Sequence, residues 1–92
     1  MRTKTVAEVR DMWQQLETAR RNVELYHSRL VPLARQSADA LRQGLVTGKN
    51  TLLELVAAQR SLIDAQTALA ANETDVRRFS VMLATLTGDF HE

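Results

Sequence analysis

His27 and His91 are the two imidazoles of the chain, and no cysteine accompanies them. A zinc site needs three or four His, Cys or carboxylate ligands on one face, and a nucleophilic pair needs a base within hydrogen-bond reach. The two histidines lie in the first and last thirds of the sequence. Neither completes such a set, and both read as surface residues. Met12 and Met82 fall at neighbouring levels of a folded-back chain and could be imagined as a soft-metal pair, but methionine at helical spacing fills gaps in apolar packing. No catalytic residue, metal site or cofactor is expected, and disulfides and thiolate sites are excluded outright.

Charge narrows the partners. Twelve Lys and Arg stand against eleven Asp and Glu, for a net charge of +1. The signs are interspersed, so the Arg20-Arg21 and Arg77-Arg78 pairs read as solvated faces and not as a nucleic-acid stripe. No apolar run approaches the roughly 20 residues that cross a bilayer as a helix. This segment is therefore expected neither to bind nucleic acid nor to insert directly into a membrane.

What remains is periodicity. Apolar residues repeat at steps of three and four through Val9, Met12, Leu16, Ala19, Val23, Tyr26, Leu30, Leu33, Ser37 and Ala40. A second series runs through Leu55, Ala58, Leu62, Ala65, Leu69, Asn72, Val76, Phe79, Leu83 and Leu86. The two series mirror each other about a point between Thr47 and Gly48. Two helices folded back there would oppose seam residue to seam residue, as antiparallel knobs-into-holes packing requires. The fold class is therefore all-α: one long, coiled-coil-like antiparallel helical hairpin over residues 1–92, with helices at 5–46 and 51–87 and a tip turn at 47–50. Helices of about 40 residues would make it roughly 60 Å long.

The expected helix ends agree with this division. Thr5-Val-Ala-Glu8 and Thr51-Leu-Leu-Glu54 both match a capping box, in which Thr accepts from the third backbone N–H and Glu returns the bond. Gly48 can close the first helix in the left-handed conformation, and Gly88 is expected to close the second. Pro32 should kink the first helix through its collision with the carbonyl of Ser28, without loss of seam phase through Leu30 and Leu33. Asn72, a polar residue in the seam, should set register. A second apolar line, through Val6, Trp13, Ala34 and Leu41 and through Val56, Ile63 and Ala70, would stay wet in an isolated pair. Hairpins are therefore expected to pack side by side, and the chain alone to form a dimeric four-helix bundle at high concentration.

The segment Val46-Thr-Gly48-Lys-Asn-Thr51-Leu-Leu-Glu54-Leu-Val-Ala-Ala58-Gln59-Arg60-Ser-Leu62 carries a resemblance. With Leu30-Val-Pro32-Leu-Ala34 before it and Asp75 and Leu83-Ala-Thr-Leu86-Thr-Gly88 after it, it resembles the last helical hairpin of the TolC-type outer-membrane efflux factors. The likeness spans nearly the whole chain and only about a fifth of a complete factor. The Leu-Pro-Leu-Ala step resembles the heavy-metal and drug efflux branches alike, so it assigns no substrate class.

The resemblance implies a trimeric tunnel in the periplasm below a β-barrel in the bacterial outer membrane. It implies a tip of Val46, Thr47, Gly48, Lys49, Asn50 and Thr51 that docks onto the hairpin of a periplasmic adaptor, the membrane fusion protein of a tripartite pump. It also implies an entrance narrowed by acids, to which Glu54 corresponds, with Lys49 at a basic position able to pair with it. The sequence departs from that pattern at Ala57, where a second acid is usual, and at Leu45, where a tyrosine is usual. The face through Glu54, Ala57, Ser61, Asp64, Ala68 and Asp75 is small and polar, which suits a hydrated lumen and suits plain solvent equally. A free-standing soluble coiled-coil interaction module without a transport role is the alternative from a different class. The adaptor's own hairpin is a third reading, against which the Thr-Gly turn and the Leu-Glu-Leu-Val-Ala-Ala-Gln-Arg start of the second helix speak.

Overall fold

The computed structural model describes residues 2–90, with side chains described for 6–85. The first arm consists of α1 (Arg2–Leu25), a π-helical turn (Tyr26–Leu30) and α2 (Val31–Val46), and α3 (Leu52–Phe90) returns along it. The described residues contain no strand. Extents of 67 × 17 × 13 Å make the molecule a rod, in accord with the expected hairpin. Both α1 and α2 pack against α3.

The core is a single stripe. Among the described residues Leu16, Ala19, Val31, Ala38, Leu55 and Leu83 are the buried apolar side chains, and none is enclosed on all sides. Two helices can cover only the strip between them, so most apolar positions stay half-wet. The α3 seam follows the expected series: Leu55 and Leu83 are buried, and Ala58, Leu62, Ala65, Leu69, Asn72, Val76 and Phe79 are half-buried.

The first arm departs from expectation at Pro32. Up to Leu30 its seam is the expected one, but beyond the proline Leu33 is 60% exposed, and Ser37 and Ala40 are exposed too. Their places are taken by Ala34, Ala38 and Leu41, each one residue later, with Ala38 only 2% exposed. The π turn is the cause. Val31 N–H donates to the carbonyl of Tyr26, five residues back, so the turn takes up one residue more than an α turn. One residue is about 100° of helix rotation, which moves every later side chain by one place. Pro32 supplies the reason: it has no N–H to give, and its ring would strike the preceding turn of a regular helix. The expectation of an unbroken seam phase through Leu33 is thus corrected.

Two helix ends are also corrected. α1 is already helical at Arg2, so Thr5 lies inside it and cannot act as its cap; Arg and Lys ahead of Thr5 are good helix formers. α3 runs through Gly88 to Phe90. Glycine inside a helix costs about 1 kcal/mol relative to alanine and does not stop the helix unless it turns left-handed. His91 and the side chains of Thr5 and of the last expected seam residue, Leu86, lie outside the described residues.

Asn72 finds its partner across the seam. Its Oδ1 accepts from Asn22 Nδ2 at 3.3 Å, and its own Nδ2 donates to the carbonyl of Ala68 at 2.8 Å. Asn22 neighbours Val23, the residue mirror pairing sets opposite Asn72. A half-buried amide whose partner sits on the other arm penalises every slipped register, because a slip leaves it unpaired.

The π turn yields a sharp expectation. Deleting Ser28, an exposed residue within it, should convert it to an α turn and bring both seams into one phase, but at the cost of pressing Pro32 into a regular helix. Deletion of Ser28 alone should therefore destabilise the hairpin, and adding Pro32→Ala should recover about 3 kcal/mol. Thermal unfolding followed by circular dichroism reads the difference. Equal stability of the two variants would show that Pro32 is not what holds the π turn.

Candidate functional site

The tip is built from backbone hydrogen bonds. Lys49 N–H donates to the carbonyl of Gly44 at 2.7 Å and Gly48 N–H to that of Leu45 at 3.2 Å. These are the two bonds of a Schellman motif, and they require a left-handed residue between the helix and the turn. Gly48 supplies it at φ +81°. A Cβ placed on Gly48 would meet nothing within 4 Å. Conformation, and not crowding within the hairpin, explains glycine there.

Gly44 is the residue that sequence reading missed. It is buried in α2, and a Cβ built on it would overlap Asn50 Nδ2 and lie 2.7 Å from Asn50 Cγ. Asn50 folds back over this space, donating its backbone N–H to the carbonyl of Gly44 at 3.2 Å and its side-chain amide to that of Leu41 at 3.4 Å. Thr47 Oγ1 donates to the carbonyl of Gly44 at 3.1 Å. The available signal was a glycine inside a strongly periodic helical segment, which usually marks a close approach.

α3 starts with the expected capping box. Thr51 Oγ1 accepts from Glu54 N–H at 3.2 Å, and Glu54 Oε1 accepts from Thr51 N–H and from Thr51 Oγ1, both at 3.1 Å. Glu54 is thereby turned back onto the tip. Lys49 does not reach it: the ion pairs among the described residues are Arg42 with Asp39 at 3.8 Å and Arg78 with Asp75 at 3.6 Å. Both of those are exposed pairs within one helix, of small energetic weight.

Exposed apolar side chains flank the fixed turn among polar ones. Val46 is 85% exposed, Leu53 79%, and Leu52 is also largely exposed. The six tip residues expected from sequence, Val46 to Thr51, are brought into one turn, with Leu52 and Leu53 adding to its apolar surface. Ala57 is exposed and Leu45 half-buried. The other candidate groups stay apart. His27 is exposed, Met12 half-buried in the seam and Met82 exposed beside it. Among the described residues no three His, Cys, Asp or Glu side chains converge on a metal-sized space.

Fold and tip define a helical hairpin that offers surfaces, with no assembled reaction centre among the described residues. The model of the family described as outer membrane efflux protein matches residues 1–89, and the chain belongs to that family. Its members are channel proteins of the outer membrane that work with adaptor proteins and form trimers. No curated protein and no solved structure matches the chain. Among the described residues no helix is long and apolar enough to cross a membrane.

The overlap between Gly44 and Asn50 sets up a double-mutant cycle. In the wild-type background, Gly44→Ala should lower stability, because displacing the Asn50 amide at about 1–3 kcal/mol outweighs the gain of about 1 kcal/mol in helix propensity. In an Asn50→Ala background the sign should reverse, since the residue-50 Cβ lies 3.5 Å from the new methyl, an ordinary contact. Additive effects in thermal melts would show that the two residues are not coupled.

Proposed function

We propose that this chain forms the periplasmic tip portion of an efflux channel's tunnel and docks, through Val46, Thr47, Gly48, Lys49, Asn50 and Thr51, onto the hairpin of a periplasmic adaptor in a tripartite export pump. Family membership supports the channel role, and the tip supports the docking role. One observation carries it: the turn is held rigid by backbone and capping bonds while the space over Gly48 stays open and its apolar neighbours stay wet. A rigid turn loses little conformational entropy on binding, and exposed Val and Leu gain from being covered. A glycine with open space above it admits a partner's backbone.

In the full-length channel, Gly48→Asn keeps a residue that tolerates the left-handed conformation, whereas Gly48→Leu adds strain of about 1–2 kcal/mol as well as bulk. Both variants should assemble in the outer membrane, and pump-dependent resistance should fall from Gly to Asn to Leu. Full resistance for Gly48→Leu at normal expression would leave Gly48 as a helix terminator only.

The same reading gives Glu54 a second role. One Glu54 per subunit would place three acids around the entrance, with Lys49 close in sequence, and a local negative potential favours cations. Gln retains an oxygen for the capping bonds and removes the charge. Glu54→Gln should therefore leave the melting temperature nearly unchanged and lower cation preference in planar-bilayer conductance. Lost stability with unaltered selectivity would make Glu54 a cap alone.

A further inference from the structure

Two lines of residues on α2 are fit to face α3, and the structure uses one of them. Ala34, Ala38 and Leu41 lie in the seam against α3. Leu33, Ser37 and Ala40 form a second line one place away, on the exposed side, with Leu33 60% exposed. This second line is the one in phase with Leu30 and the seam of α1. Mirror pairing sets Leu33 against Leu62, Ser37 against Ala58 and Ala40 against Leu55, so α3 offers the same seam to either line. The lines differ by one residue, which is about 100° of rotation and about 1.5 Å of rise. That is the residue the π turn takes up. Val31 N–H donates to the carbonyl of Tyr26 there, and closing the π turn to an α turn would bring the second line onto α3.

Each end of α2 has a hold on the phase in use. At its start Pro32 disfavours the α turn, since its ring strikes the preceding turn of a regular helix. At its other end the hold is Asn50. It donates its backbone N–H to the carbonyl of Gly44 and its side-chain amide to that of Leu41, while its neighbour Thr51 caps α3. The end of α2 and the start of α3 are thereby tied in one relative rotation. In the other phase Gln43 would take the place of Gly44, where the Asn50 amide overlaps even a single added Cβ. Pro32 and Gly44 stand about 18 Å apart along the helix at about 1.5 Å per residue.

We propose that α2 is a two-position element that turns by one residue place on α3, between the seam of Ala34, Ala38 and Leu41 and a seam of Leu33, Ser37 and Ala40, with Asn50 as its latch. Two separated sites are coupled when both bias one two-state element, and the latch and the π turn bias the same rotation. Releasing Asn50 favours an α turn at residues 26–30, and closing the π turn expels Asn50 from Gly44. Under the docking reading above, on which this step rests, an adaptor hairpin that draws Asn50 to itself turns α2 and carries the contact up the rod. The rotation itself needs no partner and is read in the chain alone.

The chain has no cysteine, so introduced pairs report the phase. A disulfide forms only between residues whose Cβ atoms face each other at about 4 Å. Ala38→Cys with Ala58→Cys reads the seam in use, and Ser37→Cys with Ala58→Cys reads the other. Each pair is oxidised in a glutathione buffer in the parent chain, with Asn50→Ala and with Pro32→Ala, and the rates of disulfide formation are compared. Loss of the Asn50 side-chain contacts should speed the Ser37→Cys pair about tenfold, Pro32→Ala should speed it too, and neither should speed the Ala38→Cys pair. An unchanged rate for the Ser37→Cys pair in both variants overturns the two-position element and leaves adaptor docking standing. An equal rise at both pairs, as general loosening or unfolding gives, overturns it as well. A rise with Pro32→Ala alone overturns Asn50 as the latch.

Discussion

Pro32 has no backbone hydrogen to donate, and the structure of the first arm follows from that deficiency. A regular helix would press the proline ring against the preceding turn; the π turn over Tyr26–Leu30 widens the path and takes up one additional residue. The rotation that results decides which side chains of α2 face α3. Ala34, Ala38 and Leu41 enter the seam, while Leu33, Ser37 and Ala40 leave it. Near the tip Asn50 occupies the space that a Cβ on Gly44 would need.

The tip depends on that approach. Asn50 can fold over the helix end because Gly44 offers no Cβ, and with Asn50 in place the turn passes from Gly48 into the Thr51–Glu54 cap with its helix ends satisfied. The result is a rigid point at the end of a long rod, crowned by Val46, Leu52 and Leu53. Rigidity at such a point is useful for recognition, since the ordering entropy is already spent on folding.

Along the rod the opposite holds. Among the described residues six apolar side chains are buried and none is fully enclosed, which is a thin core for so long a rod. A two-helix rod approaches the stability of a globular domain only when neighbours cover its flanks. The channels of the family are trimers.

Much of this was legible in the residues. The mirror of the two apolar series fixed the hairpin, its turn and the α3 seam from Leu55 to Leu83, because heptad periodicity is a local property that needs no knowledge of the partner. The Thr51–Glu54 box and the left-handed Gly48 were equally readable, since each is satisfied within a few residues of itself. Three features were decided only in three dimensions. A proline within a helix can be met by a kink or by a π turn, and the sequence does not say which; the π turn over Tyr26–Leu30 sets the phase in which α2 meets α3. The role of Gly44 depended on a side chain six residues later that folds back through the turn. The start of α1 ahead of Thr5 and the passage of α3 through Gly88 followed from helix continuity, which outweighs an isolated cap or glycine signal when the flanking residues favour helix. Local satisfaction was therefore written in the sequence, and rotational phase and close approach were settled by packing.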